Sequence, residues 1–293
     1  MAVRAAPAVR CSSQGGVVIY MRLISWNIDH PAKSNDIEAV IRTLRSANPD
    51  VVALQEVTRR IPQGFLEGLS RLGLEYKQAY TPSRGWGLLV ASKWPLEPLE
   101  GAVIKIPKDE EDYYRGRHPS ENGEPARLLS VLVNRPRGMF ELHTVHVPPG
   151  SQSGWRKIDT IRAVARRMGE PSTFHRILCG DFNEPRAELS DGGVESWADH
   201  NRYSKKDPKR WQDAVDSIFV GLPQNGMRDI FRVVHGEQVR KLVSHRLKKS
   251  GAPRRYDHVF ATETLVPESA RYLPQEMWMG VSDHAPAEVQ FME

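Results

Sequence analysis

The chain has 293 residues, 40% of them apolar, enough for one large core or two small ones and usual for a soluble globular protein. No apolar run approaches the roughly 20 residues needed to cross a bilayer, which excludes a membrane-spanning helix. Lys and Arg total 41 against 36 Asp and Glu, a net charge of +5. An excess that mild suits an anionic partner without demanding nucleic acid.

Two cysteines, Cys11 and Cys179, are too few for a disulfide framework or a four-thiolate zinc site, and they point to a reducing, cytoplasmic compartment. Cys179 lies in an apolar run just before Gly180 and reads as a small buried residue. Residues 1–20 carry Arg4 and Arg10 and no acid. They read as a disordered extension or a start assigned too early, with Met21 the true start. No amphipathic period supports an organelle-targeting peptide. Residues 21–293 then make one domain.

Strand and helix signals alternate in chain order. Met21 to Ile28 is a strand, and Asn35 with Glu38 three residues on forms a capping box. Ile37, Val40, Ile41 and Leu44 follow at helical spacing. Asn48-Pro49-Asp50 ends that helix, and Val51 to Val57 reads as a fully buried strand. A helix over Pro62 to Leu72 stops at Gly73. Strands follow at Tyr76–Tyr80, Gly87–Ala91, Arg127–Asn134 and Met139–Val147, with Lys105–Pro125 a polar loop. Ser153 to Gly169 is helical, its apolar face made by Ile158, Ile161, Ala165 and Met168. Arg176–Phe182 is a buried strand. Residues 184–226 are polar and irregular, a long excursion of the kind that is functional or disordered. A short helix near Arg228–Val234 and strands near Val243, Tyr256–Ala261 and Ala285–Phe291 complete an α/β layered domain.

The informative residues are polar ones interrupting apolar strands. Asn27 ends the first strand, Glu56 ends Val51-Val52-Ala53-Leu54-Gln55, and Asp181 and Asn183 close Ile177-Leu178-Cys179-Gly180. His146 ends another strand, Asp257 opens one, and Asp283-His284 precedes Ala285-Pro286. Singly, each is an ordinary turn residue or cap. As a set they collect where strand ends share a rim. Carboxylates gathered there resist ionising together unless a divalent cation joins them, and oxygen ligands such as Glu56 and Asp283 favour Mg²⁺ or Mn²⁺ over zinc. That apparatus with a histidine suits phosphoester hydrolysis, in which an anionic substrate must be neutralised before water attacks.

The segments Ser25-Trp26-Asn27-Ile28, Leu54-Gln55-Glu56-Val57, Gly180-Asp181-Phe182-Asn183, Tyr256-Asp257-His258-Val259-Phe260 and Ser282-Asp283-His284 resemble the successive signatures of the endonuclease/exonuclease/phosphatase superfamily, the group containing DNase I and exonuclease III. The resemblance implies a four-layer sandwich of two mixed, mainly antiparallel β-sheets flanked by helices. It implies that Glu56 ligates the metal with Asn27 beside it and Asp283 on the metal side. Asp181 would orient and deprotonate the attacking water, held by Asn183, and His284 would stabilise the phosphate, oriented by Asp257. His146 matches the place where many relatives carry a histidine beside the phosphate. His143 should face the opposite way, and His258 is read as structural.

The motifs leave the substrate open. Lys205 and Lys206 beside Trp211, and Arg254 with Arg255 leading into Asp257, read as candidate grips for phosphates and bases. Nucleic acid, DNA or RNA, is therefore the expected partner of a monomeric, metal-dependent phosphodiesterase. The alternative is a phosphatase or phosphodiesterase on a small or lipid-derived phosphate. A protein that only binds nucleic acid would be expected to have lost ligands, and here all are present.

Overall fold

The computed structural model describes residues 20–31, 34–82, 86–99, 127–200, 205 and 207–292. Calls on residues 1–19, on the 105–125 loop and on Lys206 lie outside them.

The chain runs β1 (Tyr20–Asn27), α1 (Ser34–Ala47), β2 (Val51–Val57), α2 (Gln63–Ser70), β3 (Tyr76–Tyr80), β4 (Gly87–Ser92), β5 (Leu96–Pro98), β6 (Leu128–Arg135) and β7 (Gly138–His146). It continues with α3 (Gly150–Ser153), α4 (Trp155–Gly169), β8 (His175–Asp181), the hairpin β9 (Ala187–Glu188) and β10 (Val194–Glu195), then α5 (Pro208–Phe219) and α6 (Gly221–Gln224). Last come β11 (Met227–Asp229), α7 (Ile230–His235), β12 (His245–Arg246), β13 (Pro253–Arg254), β14 (Asp257–Thr262), β15 (Pro267–Tyr272) and β16 (Ala287–Met292).

Two six-stranded sheets result, ordered β15-β16-β1-β2-β4-β3 and β11-β14-β8-β7-β6-β5. Each has one parallel pair at its centre, β1 with β2 and β7 with β8, and antiparallel neighbours outside. The parallel pairs are those joined through a helix, α1 and α4, as a parallel crossover requires. Alternation along the central strands sends one set of apolar side chains between the sheets and the other outward. Met21, Leu23, Val51 and Ala53 meet Val131, Leu142, Ile177 and Val259 in the middle. Ile24, Trp26, Val52 and Leu54 pack outward on α1 and α2, around Val40, Leu44 and Phe65. Val145, Leu178 and Phe260 pack on α4 and α5, around Ile158, Ile161 and Trp211. Three apolar layers between four layers of structure make the expected sandwich.

Where structure and sequence reading differ, a local cause is visible. The first helix begins at Ser34, so Asn35 sits inside its first turn. Gly154, at φ 56°, separates α3 from α4, so the long helix starts at Trp155 rather than Ser153. The 184–226 stretch is not irregular throughout. Asp207 caps α5 by accepting from the Arg210 amide at 3.0 Å, Pro208 opens the helix, and Trp211, Ala214, Val215, Ile218 and Phe219 are buried along one face. The strands β5 and β15, each at the edge of a different sheet, were not anticipated from the sequence.

Candidate active site

Register fixes which strand ends meet. In the first sheet β1 and β2 run parallel, with Asn27 paired to Gln55, so Asn27 and Glu56 reach the same rim. In the second, Asp181 pairs with His146 on one side and Asp257 on the other. Gly180 permits this approach: a Cβ there would lie 2.0 Å from the Val145 carbonyl oxygen, and its φ is +140°. Beneath the rim the buried Gln55 amide donates to Ser25 Oγ (3.2 Å) and across the sheets to Thr144 Oγ1 (2.8 Å). At the rim Asn27 Nδ2 joins the sheets again, donating to Glu56 Oε1 and to Asp181 Oδ2, both at 3.1 Å.

Around Asp181 the contacts are dense. Its Oδ1 accepts from the Asn183 backbone N–H at 2.8 Å and its Oδ2 from Asn183 Nδ2 at 3.2 Å. The same Asn183 amide donates to the Val147 carbonyl at 2.9 Å. His284 Nδ1 lies 2.8 Å from Asp257 Oδ2, and its Nε2 lies 3.8 Å from Asp181 Oδ2. Trp26 Nε1 donates to the His284 carbonyl (2.8 Å) and Ser282 Oγ to the Asn27 carbonyl (2.7 Å), which ties the His284 loop to β1. His146 Nε2 is 3.3 Å from Glu56 Oε1 and 3.9 Å from Asp181 Oδ2. Among the described non-glycine residues, left-handed backbone occurs at Asp29, His30, Asn48, Glu56 and Asn183, and all but Asn48 belong to this rim. Such conformations persist where the surroundings over-determine them.

The two histidines are driven to opposite charge states. Burial depresses His146 well below the usual imidazole range, reinforced by Arg127 and His284. Arg127 Nη1 donates to His146 Nδ1 at 3.2 Å, which leaves Nε2 as the protonated nitrogen facing Glu56 and Asp181. Burial also pulls His284 down, but Asp257 and Asp181 outweigh it and raise it to about 10, so the ring is a cation at neutral pH. Asp181 is raised to about 7 by burial, with Asp257 and Glu56 adding to the rise and His284 and Asn183 opposing it. The expected result in the metal-free protein is that Asp181 is largely protonated below pH 7 and ionised above it. A divalent cation should move the transition to lower pH, because it favours the carboxylate. Carboxyl ¹³C shifts measured with EDTA and with Mg²⁺ check this. A metal-free transition near the ordinary value of about 4 would refute it.

Glu56 is shared by two groups of donors whose ligating atoms lie within 4.8 Å of one another: Glu56 with His146 and Asp181, and Glu56 with Asp29 and His30. The protonated Nε2 of His146 has no lone pair to offer a metal, so the oxygen and imidazole donors of Asp29 and His30 around Glu56, a carboxylate partly open to solvent, are the ones that fit a divalent cation.

The structure thus brings together Asn27, Glu56, His146, Asp181, Asn183, Asp257 and His284. Asp283 groups with His245 and His284 and is bridged to Lys248 Nζ at 3.2 Å. His143 faces away, between Ser130 and Glu141, and His258 is buried against the Glu184 and Arg255 carbonyls. Two candidate substrate contacts are corrected. Trp211 is fully buried between α4 and α5, its Nε1 donating to Glu184 Oε1 at 3.1 Å, so it presents no face to a base. Arg255 is buried and held by Asp229 (Nη2 to Oδ2, 2.6 Å) and by Glu188, so it offers no charge to a phosphate. Arg254 is half-buried, its guanidinium 5.1 Å over the Trp197 ring, and Lys205 is exposed.

Several neighbours carried no sequence signal. His245 lies 4.4 Å from the His284 ring, and His30, stacked on Trp86 at 3.9 Å, lies 3.4 Å from Glu56 Oε2. Lys157, buried on α4, donates to the Asn183 carbonyl at 2.6 Å and pairs with Glu184 at 3.0 Å, bracing the turn that holds Asn183.

Among solved structures, an endonuclease/exonuclease/phosphatase protein from Beutenbergia cavernae aligns over 93% of this chain and 71% of its own length, with TM-score 0.66 and 19% identity. An AP endonuclease from Archaeoglobus fulgidus aligns over 92% and 99%, with TM-score 0.62 and 18% identity. A D. rerio TDP2 complexed with single-strand DNA product aligns over 93% and 98%, with TM-score 0.60 and 18% identity. A comparison with curated proteins finds no match. At these identities the structures share the fold. The model of the endonuclease/exonuclease/phosphatase family matches residues 24–284, from β1 to His284, and the chain belongs to that family.

Proposed function

We propose that the chain is a divalent-metal-dependent phosphodiesterase acting on nucleic acid. The observation that carries the reading is the Asn27 amide bonded at once to Glu56 of one sheet and Asp181 of the other, with the cationic His284 facing the same Asp181 oxygen. A metal-binding carboxylate, a proton acceptor and a cation are then within one phosphate's reach of each other.

The roles follow from the protonation states. Asp181, ionised above about pH 7, accepts a proton from the attacking water, and Asn183 fixes the carboxylate through two hydrogen bonds. His284 presents its Nε2–H to a phosphate oxygen and keeps its charge because Asp257 holds the opposite nitrogen. Neutral His146 supplies a second donor. Glu56 would hold Mg²⁺, with Asn27, His30 and Asp29 around it, and a bound cation neutralises phosphate charge that the protein's own groups do not balance. Nucleic acid as the substrate is supported by the net charge of +5 and by the fold shared with the AP endonuclease and the TDP2 complex.

The test is hydrolysis of bis(p-nitrophenyl) phosphate, plasmid DNA, single-stranded DNA and RNA with Mg²⁺, Mn²⁺ or EDTA. Nucleic-acid cleavage that EDTA abolishes is the expected result. Turnover of the bis-ester alone would favour a small phosphodiester substrate, and no turnover at all would refute the reading. Independently of turnover, saturating Mg²⁺ at about 100 times its Kd should stabilise the wild type by about 2.7 kcal/mol. Thermal melting of Glu56→Ala should show little of that shift. An undiminished shift would remove Glu56 from the metal site.

A further inference from the structure

Beside the catalytic cluster lies a cavity of about 400 Å³, and Asn183 lines both. We propose that this cavity is a subsite for an unpaired nucleobase next to the scissile phosphate, a specificity that rests on the phosphodiesterase reading above. Its walls are aromatic and mutually braced. Trp197 Nε1 donates to the Tyr256 hydroxyl at 3.1 Å, His200 stands edge-on to Trp197 at 5.7 Å, and Arg254 covers that ring at 5.1 Å. Tyr256 stacks on His245 (5.4 Å, 23° between planes), and His245 lies 4.4 Å from His284. A row of rings therefore leads from the cavity to the group that faces the phosphate.

The chemistry of the lining selects the occupant. Its described residues include no carboxylate, and the polar residues Lys157, Ser151 and Asn183 are among them. Rings already fixed in place lose little freedom when another ring stacks on them, and stacking accepts any base. An acyl chain would meet too many polar groups, and a bare sugar would leave the aromatic walls without a partner. A base buried in a cavity cannot at the same time be stacked in a duplex, so the subsite favours a single strand or an extruded nucleotide over intact double helix.

Calorimetric titration with adenosine 5′-monophosphate and ribose 5-phosphate, the same anion with and without a ring, tests the proposal without needing turnover. The nucleotide should bind wild type about tenfold or more tightly than the sugar phosphate. Trp197→Ala should close that gap, and Trp197→Phe, which keeps a ring, should retain most of it. A single-stranded oligonucleotide should likewise bind ahead of the same sequence as duplex. Equal affinity for the two small probes, binding of neither, or a gap that survives in a folded Trp197→Ala protein would each overturn the subsite. Equal binding of strand and duplex would overturn its assignment to an unpaired base. A nucleotide preference without hydrolysis of any ester would leave the subsite standing and remove the chemistry proposed above.

Discussion

Asp181→Ala is expected to lower kcat for phosphodiester hydrolysis by about 10²–10⁴-fold, the usual worth of a positioned general base, with little change in KM. The carboxylate contacts Asn27 and Asn183 and lies within 4 Å of His146 and His284, so its loss is felt at the reacting water before it is felt by bound substrate. Stability should move the other way. The folded-state pKa of about 7 lies above the unfolded value near 3.9, so ionising Asp181 costs folding energy as pH rises through that interval. At pH 8, without metal, Asp181→Asn should therefore melt at or above the wild-type temperature. Lower activity in a protein that is no less stable marks a residue placed for chemistry. A raised KM with unchanged kcat would contradict the role.

Asp229→Ala should have the largest effect on stability, a loss of about 3–5 kcal/mol, or a fall in Tm of roughly 6–20 °C. Two functions are lost together. Asp229 caps α7, accepting from the Phe231 and Arg232 amides at 3.0 and 3.3 Å, and it pairs with the fully buried Arg255. Without it Arg255 keeps Glu188 alone, which Arg232 also engages at 3.2 Å. Asp229→Asn retains a competent cap, so the difference between the two variants isolates the charge. The dependence on pH follows. Although burial opposes it, Arg255 and His258 hold the Asp229 pKa far below the carboxylate range. The stabilisation is thus complete above the unfolded pKa near 4 and declines as pH falls below it. Urea denaturation of both variants at pH 7 and pH 3 measures this. A loss under 1 kcal/mol at pH 7 would mean that Glu188 alone satisfies Arg255.

What the sequence made legible was the set of polar residues that interrupt buried strands. Asn27, Glu56, His146, Asp181, Asn183, Asp257 and His284 meet as a group, because register carries each strand's end to a common rim. Arg255 and Trp211 were misjudged for one shared reason. Residue type says nothing about which face of a strand or helix is covered, and a basic residue beside an acid reads the same exposed or buried. The signals of α5 were present in Asp207, Pro208 and the spacing from Trp211 to Phe219, but surrounding Lys and Asp hid the periodicity. Lys157 and His245 lay beyond reach, since each joins the site from an element whose own pattern is ordinary.

The first described strand, β1, pairs with the last, β16, from Tyr20↔Met292 to Ser25↔Ala287. On the ribosome the nascent chain must therefore hold β1 without its partner until the whole stretch between β1 and β16 has been made. Asn27 and Glu56 can come together early through the local β1–α1–β2 unit, whereas Trp26 gains its bond to His284 only 258 residues further on. Such non-local closure is the slow kind. It also means that a partly made chain lacks His284, so the cluster around Asp181 is completed only as the closing strand is approached.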